Sequence, residues 1–264
     1  MNDSFFEEIH AASRILGYEL SAEELARISQ EENMGESELK AIDAVFRYMK
    51  EKKTDAIISM LLKTSRLPLK EPKTFENFDF DNLHGKSIET LKNLQTLSAL
   101  YARKNIAFIG PPGVGKTHLA MAFGRACCIQ GFKTYFIKAT ELNQKFQDAR
   151  KYGREGSMIS SLVKPTCIII DEIGRCIFDK ENTRMFFDLV DRRYNKDCPN
   201  AMIFTSNISP DKWGEFFSED STLLCTLDRI FDEATVFMMK GDSYRGRGQE
   251  TIAIHAGRAA KPTT

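Results

Sequence analysis

Residues 110–117 read Gly-Pro-Pro-Gly-Val-Gly-Lys-Thr and fit the spacing Gly-x-x-x-x-Gly-Lys-Thr of a phosphate-binding loop. An apolar run at residues 106–109 precedes this loop and a helical pattern begins near Lys116, which is the strand-loop-helix context that the motif needs. Glycines let several backbone N–H groups converge on one phosphate, and the helix N-terminus adds a positive partial charge. We therefore predict a nucleotide site in which Lys116 contacts the β- and γ-phosphates and the Thr117 hydroxyl is a Mg²⁺ ligand.

Two carboxylates, Asp171 and Glu172, end the apolar run at residues 167–170. Because side chains alternate along a strand, we expect these two to point to different sides. Asp171 suits the Mg²⁺ shell that Thr117 begins, and Glu172 would then orient and polarise the attacking water. A later apolar run ends in Thr-Ser-Asn207, and the carboxyl ends of neighbouring strands share one crevice in an open α/β sheet. We therefore expect Asn207 to hold that water or the phosphate.

Apolar runs alternate with helical patterns from residue 105 onward, which favours a parallel sheet covered by helices on both faces. The predicted strands are 106–109, 134–137, 167–171, 201–205 and 235–239. The predicted helices fall between them, near 117–130, 140–152, 155–163, 181–195 and, with breaks, 210–230. The sequence therefore predicts an α/β fold with the polar strand ends on one edge of the sheet.

The first 66 residues show only helical patterns, with a capping box that begins at Ser21. Thr54 is predicted to cap a separate helix. Residues 40–73 hold nine Lys or Arg and four Asp or Glu, which fits either a solvated helical face or a contact with DNA or protein. Pro68 and Pro72 mark a linker, and three phenylalanines within residues 75–80 are expected to pack on the core. The predicted parts are a helical partner- or DNA-binding domain at 1–66, a linker at 67–80, the α/β domain at 81–250 and a tail at 251–264.

The composition limits the possible classes of protein. The 37 basic and 37 acidic residues balance, so any surface for nucleic acid must be local. No stretch approaches the roughly 18 apolar residues of a membrane span, and the first residues are acidic where a signal peptide is basic. The six cysteines include no Cys-x-x-Cys pair and are interpreted as ordinary thiols in a reducing compartment. We predict a soluble cytoplasmic protein with no membrane partner.

Six motifs together resemble the IstB/DnaC group of AAA+ ATPases, over about residues 75–250. They are Gly-Pro-Pro-Gly-Val-Gly-Lys-Thr-His-Leu-Ala at 110–120, Ile-Ile-Asp-Glu-Ile-Gly at 169–174, Thr-Ser-Asn at 205–207, Trp-Gly at 213–214, Leu-Asp-Arg-Ile at 227–230 and Gly-Asp-Ser-Tyr-Arg at 241–245. The last two, with the preceding Trp-Gly, separate this group from the many other P-loop proteins. The linker, residues 211–217 and the short tail are more similar to IstB-type transposition helpers than to helicase loaders.

The resemblance implies an AAA+ P-loop NTPase fold, with a five-stranded parallel sheet in the order 5-1-4-3-2, a small C-terminal lid and a helical N-terminal domain. It also implies hydrolysis of ATP to ADP and phosphate with Mg²⁺, by ATP-dependent homo-oligomers. Arg229 would act in trans on a neighbour's ATP, and Arg245 would sense nucleotide in cis. The residues assigned to nucleotide binding are Gly110, Pro111, Pro112, Gly113, Val114, Gly115, Lys116, Thr117, His118 and Arg245; the metal ligands are Thr117 and Asp171, and the catalytic residues are Glu172, Asn207 and Arg229.

IstB-like proteins bind DNA and assist a partner transposase, so the resemblance implies double-stranded DNA and an IstA-type transposase as partners in target selection and insertion. In related ring or spiral assemblies the segment between the second and third strands faces the central channel. The candidate DNA contacts there are Lys145, Arg150, Lys151 and Arg154, although a solvated helix end explains these charges equally well. The chain departs from the family at Gly174-Arg175-Cys176, where Gly-Tyr is frequent.

Three other functions compete with this interpretation. A DnaC-like replicative helicase loader would use the same ATP site on single-stranded DNA. A nucleoside or nucleotide kinase also uses a P-loop, but it would need an acceptor pocket and an arginine-rich lid. A protein that binds ATP without hydrolysing it would have no use for the Asp171-Glu172 pair.

Overall fold

The computed structural model describes residues 2–80, 88–197, 199–218, 223–241 and 243–244. Its helices are α1 Asn2–Leu16, α2 Ala22–Glu31, α3 Glu36–Thr64, α4 Ile88–Lys92, α5 Ser98–Tyr101, α6 Lys116–Ile129, α7 Ala139–Lys151, α8 Glu155–Val163, α9 Lys180–Tyr194 and α10 Leu223–Phe231, with 3-10 turns at Asn93–Thr96 and Pro210–Phe216. Its strands are β1 Ile106–Ile109, β2 Thr134–Lys138, β3 Cys167–Ile173, β4 Ala201–Ser206 and β5 Thr235–Met238.

The five strands form one parallel sheet in the order β2-β3-β4-β1-β5. This is the predicted order, 5-1-4-3-2, read from the opposite edge. The predicted strand positions are confirmed, with ends that differ by at most two residues. The central strands β1, β3 and β4 are almost wholly buried, because helices cover both faces and leave no polar side to the pleat.

Helices pack on both faces of the sheet. On one face, α6 brings Leu119 and Phe123 against Ile169 of β3. On the other face, α7, α8 and α9 contribute large apolar side chains, among them Phe146 and Phe186. The alternating strand and helix patterns thus place two layers of helix around one sheet, and the polar strand ends lie together at its carboxyl edge.

The helices α1, α2 and α3 form a small bundle at the N-terminus. Phe6, Ile9, Leu25 and Leu39 are its buried centre. The predicted capping box is confirmed, since Ser21 Oγ accepts from the Glu24 N–H and Glu24 Oε2 accepts from the Ser21 N–H. The three helices therefore bury part of their apolar surface against one another, while Val45 and Met49 of α3 stay exposed.

The predicted cap at Thr54 is wrong, because α3 runs without a break from Glu36 to Thr64. Residues 47–64 contain no glycine or proline, so no local signal outweighs helix propagation at the threonine. The last turns of α3 reach the α/β layers, where Leu61 joins the core beside Leu67 and Phe75 of the linker. The domain limits at residues 66 and 80 stay a prediction; residues 81–87 and 245–264 lie outside the described ranges.

No helix in the described part of the chain is both long enough and apolar enough to cross a membrane. The longest, α3, carries charged residues along its whole length.

Arg193 is a fully buried cation that joins three segments of the α/β layers. Its guanidinium donates to the carbonyls of Leu162 and Pro165 at 3.2 and 2.8 Å, and to Asn200 Oδ1 at 2.6 Å. It also donates to the Ala201 carbonyl at the start of β4, at 2.9 Å. Burial lowers the pKa of Arg193 to about 10, so the group stays charged at neutral pH. The end of α8 and the starts of β3 and β4 are thereby held together by one side chain.

We predict that Arg193→Leu lowers the free energy of unfolding by about 3 kcal/mol or more, because it leaves several buried carbonyls without a donor. Arg192→Leu is the matched control, since its guanidinium is exposed and pairs only with Asp188 on the same helix; it should change stability by about 0.5 kcal/mol or less. Urea unfolding of the full chain measures both. Equal, small effects of the two substitutions would contradict this role of Arg193.

Candidate functional site

The loop at residues 110–115 joins β1 to α6 and borders a cleft of about 560 Å³ at the carboxyl edge of the sheet. The cleft is lined by three groups of residues: Pro68, Lys73, Asn77, Phe78 and Asp79 of the linker; Pro112, Gly113, Gly115, Lys116, Thr117, His118 and Met121 of the loop and α6; and Glu172, Arg175, Thr205, Ser206, Asn207 and Tyr244. The phosphate loop, the acidic strand end and the polar tip of β4 therefore meet, as the sequence predicted.

Two features require a glycine at position 115: the conformation of its backbone and the closeness of Phe78. Its φ of +96° lies in the left-handed region that favours glycine, and a Cβ there would lie 2.6 Å from Cε2 of Phe78. The Phe78 ring also packs edge-on against the His118 ring, with centroids 5.2 Å apart. His118 Nε2 lies 2.8 Å from the Thr74 carbonyl. The linker thus lies directly on the phosphate loop, a proximity that the phenylalanines of the linker suggested only in general terms.

His118 lines the cleft as a half-buried ring. Burial lowers the pKa of His118, opposed by the contact with the Thr74 carbonyl, so the ring is neutral at pH 7. Its assignment to nucleotide binding stays a prediction. In the chain itself it supports Phe78 and so fixes the linker over the start of α6.

Lys116 is the first residue of α6 and is almost fully buried. Its ammonium donates to the carbonyl oxygens of Gly110 and Pro111, at 2.8 and 2.6 Å. The charge therefore lies inside the curve of the loop, where N–H groups and the helix N-terminus also gather positive charge. This is the expected position for a cation that contacts phosphate oxygens.

Asp171, Thr117 and Thr205 form a cluster of oxygen atoms. Asp171 Oδ1 accepts from Thr117 Oγ1 at 2.7 Å and from Thr205 Oγ1 at 2.6 Å. Burial raises the pKa of Asp171, while the two hydroxyl donors oppose that rise. Carboxylate and hydroxyl oxygens are ligands that Mg²⁺ accepts, so these residues fit the metal shell that the sequence predicted.

The described residues contain no cluster of three or more His, Cys, Asp or Glu side chains suited to a metal. A Mg²⁺ ion at Thr117 and Asp171 would therefore take its other ligands from water and phosphate, which is the usual arrangement in ATPase sites.

Glu172 does not follow the regular pleat that the sequence predicted. Its φ is +61°, and the pairing of β3 with β4 is irregular between Ile170 and Ile173. The Glu172 N–H donates to Thr205 Oγ1 at 2.9 Å, which anchors this unusual backbone to β4. A left-handed conformation is uncommon for a residue with a side chain, and its cost must be met by surrounding contacts. The irregularity sends the Glu172 carboxylate to the cleft by a bulge rather than by simple alternation.

The end of β4 contributes Thr205 and Ser206 to the site as well as Asn207. Asn207 is exposed and lines the cleft, so its predicted role with water or phosphate stays open. Thr205 and Ser206 are fully buried and bind the neighbouring strand: Thr205 bonds Asp171, and Ser206 Oγ donates to the Ile173 carbonyl at 2.7 Å. The sequence predicted a polar end for this strand but did not indicate that Thr205 would bond Asp171.

Five residues predicted for the nucleotide site do not line this cleft in the described part of the chain: Gly110, Pro111, Val114, Asp171 and Arg229. Arg229 lies on α10, where its guanidinium is 3.2 Å from Asp191 Oδ1 of α9, and it is absent from the cleft lining. Arg245 lies outside the described residues. Its neighbour Tyr244 does line the cleft and donates its N–H to the Gly113 carbonyl at 3.0 Å.

The four candidate DNA contacts differ in their surroundings: Lys145 lies in the middle of α7, Arg150 and Lys151 lie in its last turn, and Arg154 follows it. Arg150 pairs with Asp179 at 2.8 Å and donates to Asn182, so it binds the start of α9. Lys151 and Arg154 are exposed and lie over the ring of Tyr152, itself 63% exposed. Lys145 is half-buried. The structure thus separates a structural arginine from an exposed basic and aromatic patch formed by Lys151, Tyr152 and Arg154.

Sequence reasoning missed several residues that line the cleft: Lys73, Asn77, Phe78, Arg175, Thr205 and Tyr244. The three phenylalanines of the linker were a usable signal, because aromatic residues outside a helix need a surface to cover. Arg175 was noted only as a departure from a family pattern.

The family model described as "IstB-like ATP binding protein" matches residues 14–251. A protein named for the ATP-binding role in insertion sequence IS5376 of Geobacillus stearothermophilus is 38% identical over 190 residues, covering 72% of this chain and 74% of that protein. The corresponding protein of insertion sequence IS21 in Pseudomonas aeruginosa is 35% identical over 184 residues, covering 70% and 68%.

Among solved structures, AMPPCP-bound DnaA from Aquifex aeolicus is similar with a TM-score of 0.52 and 22% identity. The match covers 67% of this chain and 52% of that one. At this identity the likeness concerns the fold alone, and it agrees with the predicted α/β architecture of five parallel strands.

We predict that Gly115→Ala weakens ATP binding about tenfold or more. The added methyl must displace Phe78 or move the loop, and each lost hydrogen bond to a phosphate charge costs about 1.5–3 kcal/mol. Gly131→Ala is the matched control, because Gly131 has a similar φ of +82° but open space around it. Titration with a fluorescent ATP analogue gives the affinities, and thermal unfolding reports the strain common to both variants. Wild-type affinity in Gly115→Ala would contradict the close contact with Phe78.

Proposed function

The chain belongs to the IstB-like ATP binding protein family, and from this premise we propose that it hydrolyses ATP as an oligomer on double-stranded DNA and assists a transposase. The observation that carries the proposal is the convergence of the phosphate loop, the cluster of Thr117, Asp171 and Thr205, and the Glu172 carboxylate on one cleft. Binding of ATP without hydrolysis would need only the phosphate loop. A carboxylate placed beside the metal ligands supports a reaction with water.

The proposed reaction is attack of water on the γ-phosphate of ATP. Glu172 accepts a proton from the water as its oxygen bonds to phosphorus. The bond from phosphorus to the bridging oxygen breaks, and ADP leaves with that electron pair. The chemistry that Mg²⁺ would supply at this site is neutralisation of negative charge on the phosphates. Thr117 and Asp171 would hold the metal, and Lys116 would contact the phosphates.

Each chain supplies only part of this site. In-line phosphoryl transfer is accelerated when a positive side chain contacts the γ-phosphate oxygens. Arg229 is about two-fifths exposed and paired with Asp191, outside the cleft of its own chain. We propose that it acts on ATP bound to a neighbouring copy, which makes turnover depend on assembly. Arg245 keeps its proposed role as the nucleotide sensor in cis.

Contact with double-stranded DNA is proposed for the patch of Lys151, Tyr152 and Arg154, with Lys145 beside it. Lysine and arginine at phosphates give affinity that is independent of sequence and falls with salt. Arg150 is the weakest candidate of the four, because its guanidinium already pairs with Asp179. The chain has no net charge, so repetition of a local patch in an oligomer would supply the attraction.

The proposal of a transposase as the partner is supported by relatives that are named for insertion sequences. An IstA-type transposase is therefore the proposed partner, with target selection and insertion as the step assisted. A reconstituted insertion reaction tests this directly: the full chain with ATP and duplex target should raise insertion by the partner transposase. Capture of a replicative helicase, with single-stranded DNA as the only stimulating nucleic acid and no effect on insertion, would favour the helicase-loader alternative.

We predict that Glu172→Gln lowers ATP turnover about 10²- to 10⁴-fold while ATP affinity stays within about threefold, because the amide cannot accept the proton. Phosphate release gives the rate, and equilibrium titration gives the affinity. Glu215→Gln, which changes a carboxylate that does not line the cleft, is the matched control and should keep the wild-type rate. Undiminished turnover in Glu172→Gln would remove this residue from the reaction.

We predict that Arg229→Ala keeps ATP affinity but loses turnover about 10³-fold, because the charge acts across a subunit interface. Arg192→Ala is the matched control on neighbouring α9, since it also breaks one exposed ion pair. Mixing Arg229→Ala with Lys116→Ala chains should restore part of the rate, because an intact loop then meets an intact arginine. Absence of any recovery in mixtures that still assemble would contradict action in trans.

A further inference from the structure

A tight turn after β3 places Arg175 beside Glu172. The Arg175 N–H donates to the Glu172 carbonyl at 3.2 Å, and Gly174 between them has a φ of +92°. Within this turn the Arg175 guanidinium lies 2.9 Å from Glu172 Oε1. The contact therefore joins the two ends of one short turn.

The turn is fixed by its neighbours rather than by the ion pair. A Cβ at Gly174 would lie 2.7 Å from Cδ1 of Ile208, so the turn packs closely on the segment after β4. The Ile173 carbonyl accepts from Ser206 Oγ, and the Glu172 N–H donates to Thr205. Arg175 is thus presented to Glu172 by the fold.

The ion pair contributes little to stability. The Arg175 side chain is 64% exposed and the Glu172 side chain 27% exposed, and ion pairs exposed to this degree are worth about 0–1 kcal/mol. Its position is informative for another reason, since both side chains line the nucleotide cleft. The guanidinium occupies one acceptor position of the carboxylate, at Oε1, and favours the side-chain orientation that makes this contact.

We propose that Arg175 is a positioning residue that restrains the Glu172 carboxylate and thereby limits ATP turnover. This inference rests on the proposed hydrolysis by Glu172. Each time the pair opens, the carboxylate becomes available to the attacking water. Because an exposed pair is weak, it opens readily, and the restraint sets the rate within a modest range rather than abolishing turnover.

Turnover of Arg175→Ala is the first test. Release of a pair worth up to about 1 kcal/mol raises kcat about two- to fivefold. Arg175→Lys retains a cation and should stay near the wild-type rate. Arg27→Ala, which breaks an exposed ion pair with Glu31 in the N-terminal bundle, is the matched control and should leave kcat unchanged. An unchanged or lower kcat in Arg175→Ala overturns the proposal.

A double-mutant cycle of nucleotide affinities tests the Glu172–Arg175 pair independently of hydrolysis. Affinities for ATP and ADP are measured for wild type, Arg175→Ala, Glu172→Gln and the double variant. Loss of Arg175 leaves the Glu172 charge uncompensated near the γ-phosphate, so Arg175→Ala should weaken ATP binding about two- to fivefold and leave ADP binding unchanged. In the Glu172→Gln background the same substitution should change ATP affinity less than about twofold.

The outcomes separate this inference from the function it rests on. Equal weakening of ATP binding in both backgrounds would mean that Arg175 contacts the phosphate itself, and it overturns the restraint. Absence of coupling in the cycle overturns it as well. Coupling in the cycle without ATP turnover in wild type or Arg175→Ala would preserve the Glu172–Arg175 interaction and contradict the proposed ATPase function.

Discussion

The rest of the site depends on the hydrogen bonds around Asp171. One carboxylate oxygen accepts from Thr117 at the start of α6 and from Thr205 near the end of β4. Thr205 in turn accepts from the Glu172 N–H and so holds the irregular end of β3. Three hydrogen bonds around the buried Asp171 and Thr205 therefore place the phosphate loop, the proposed metal ligands and the Glu172 carboxylate relative to one another.

The surrounding fold restricts how these groups can move. Phe78 of the linker packs on Gly115 and His118, so the segment after the N-terminal helices is part of the nucleotide cleft. Arg193 ties the starts of β3 and β4 to the end of α8 from the opposite edge of the sheet. The continuous helix α3 links the bundle to the same core through Leu61. The end of α3, the linker and the phosphate loop therefore share one hydrophobic core.

The sequence was sufficient for the sheet and the phosphate loop, because a buried parallel strand and a Gly-rich loop before a helix have strong local patterns. It failed at Thr54 and at Glu172, for different reasons. Thr54 has the residue type of a cap, yet the good helix formers around it continue α3. Glu172 adopts a left-handed backbone that alternation cannot anticipate, since Thr205 on another strand stabilises it. The predicted site included Asn207 but not Thr205, because hydrogen bonding between strands is invisible in one segment.

Arg229 lies outside the cleft of its own chain, and our central proposal is that a neighbouring copy completes each cleft with this residue. The most direct measurement is ATP turnover per chain at saturating ATP and fixed salt, across a wide range of protein concentration. We expect turnover per chain to rise with concentration and to level off where light scattering shows complete assembly. A rate per chain that stays constant down to concentrations at which only monomers are present would contradict the account.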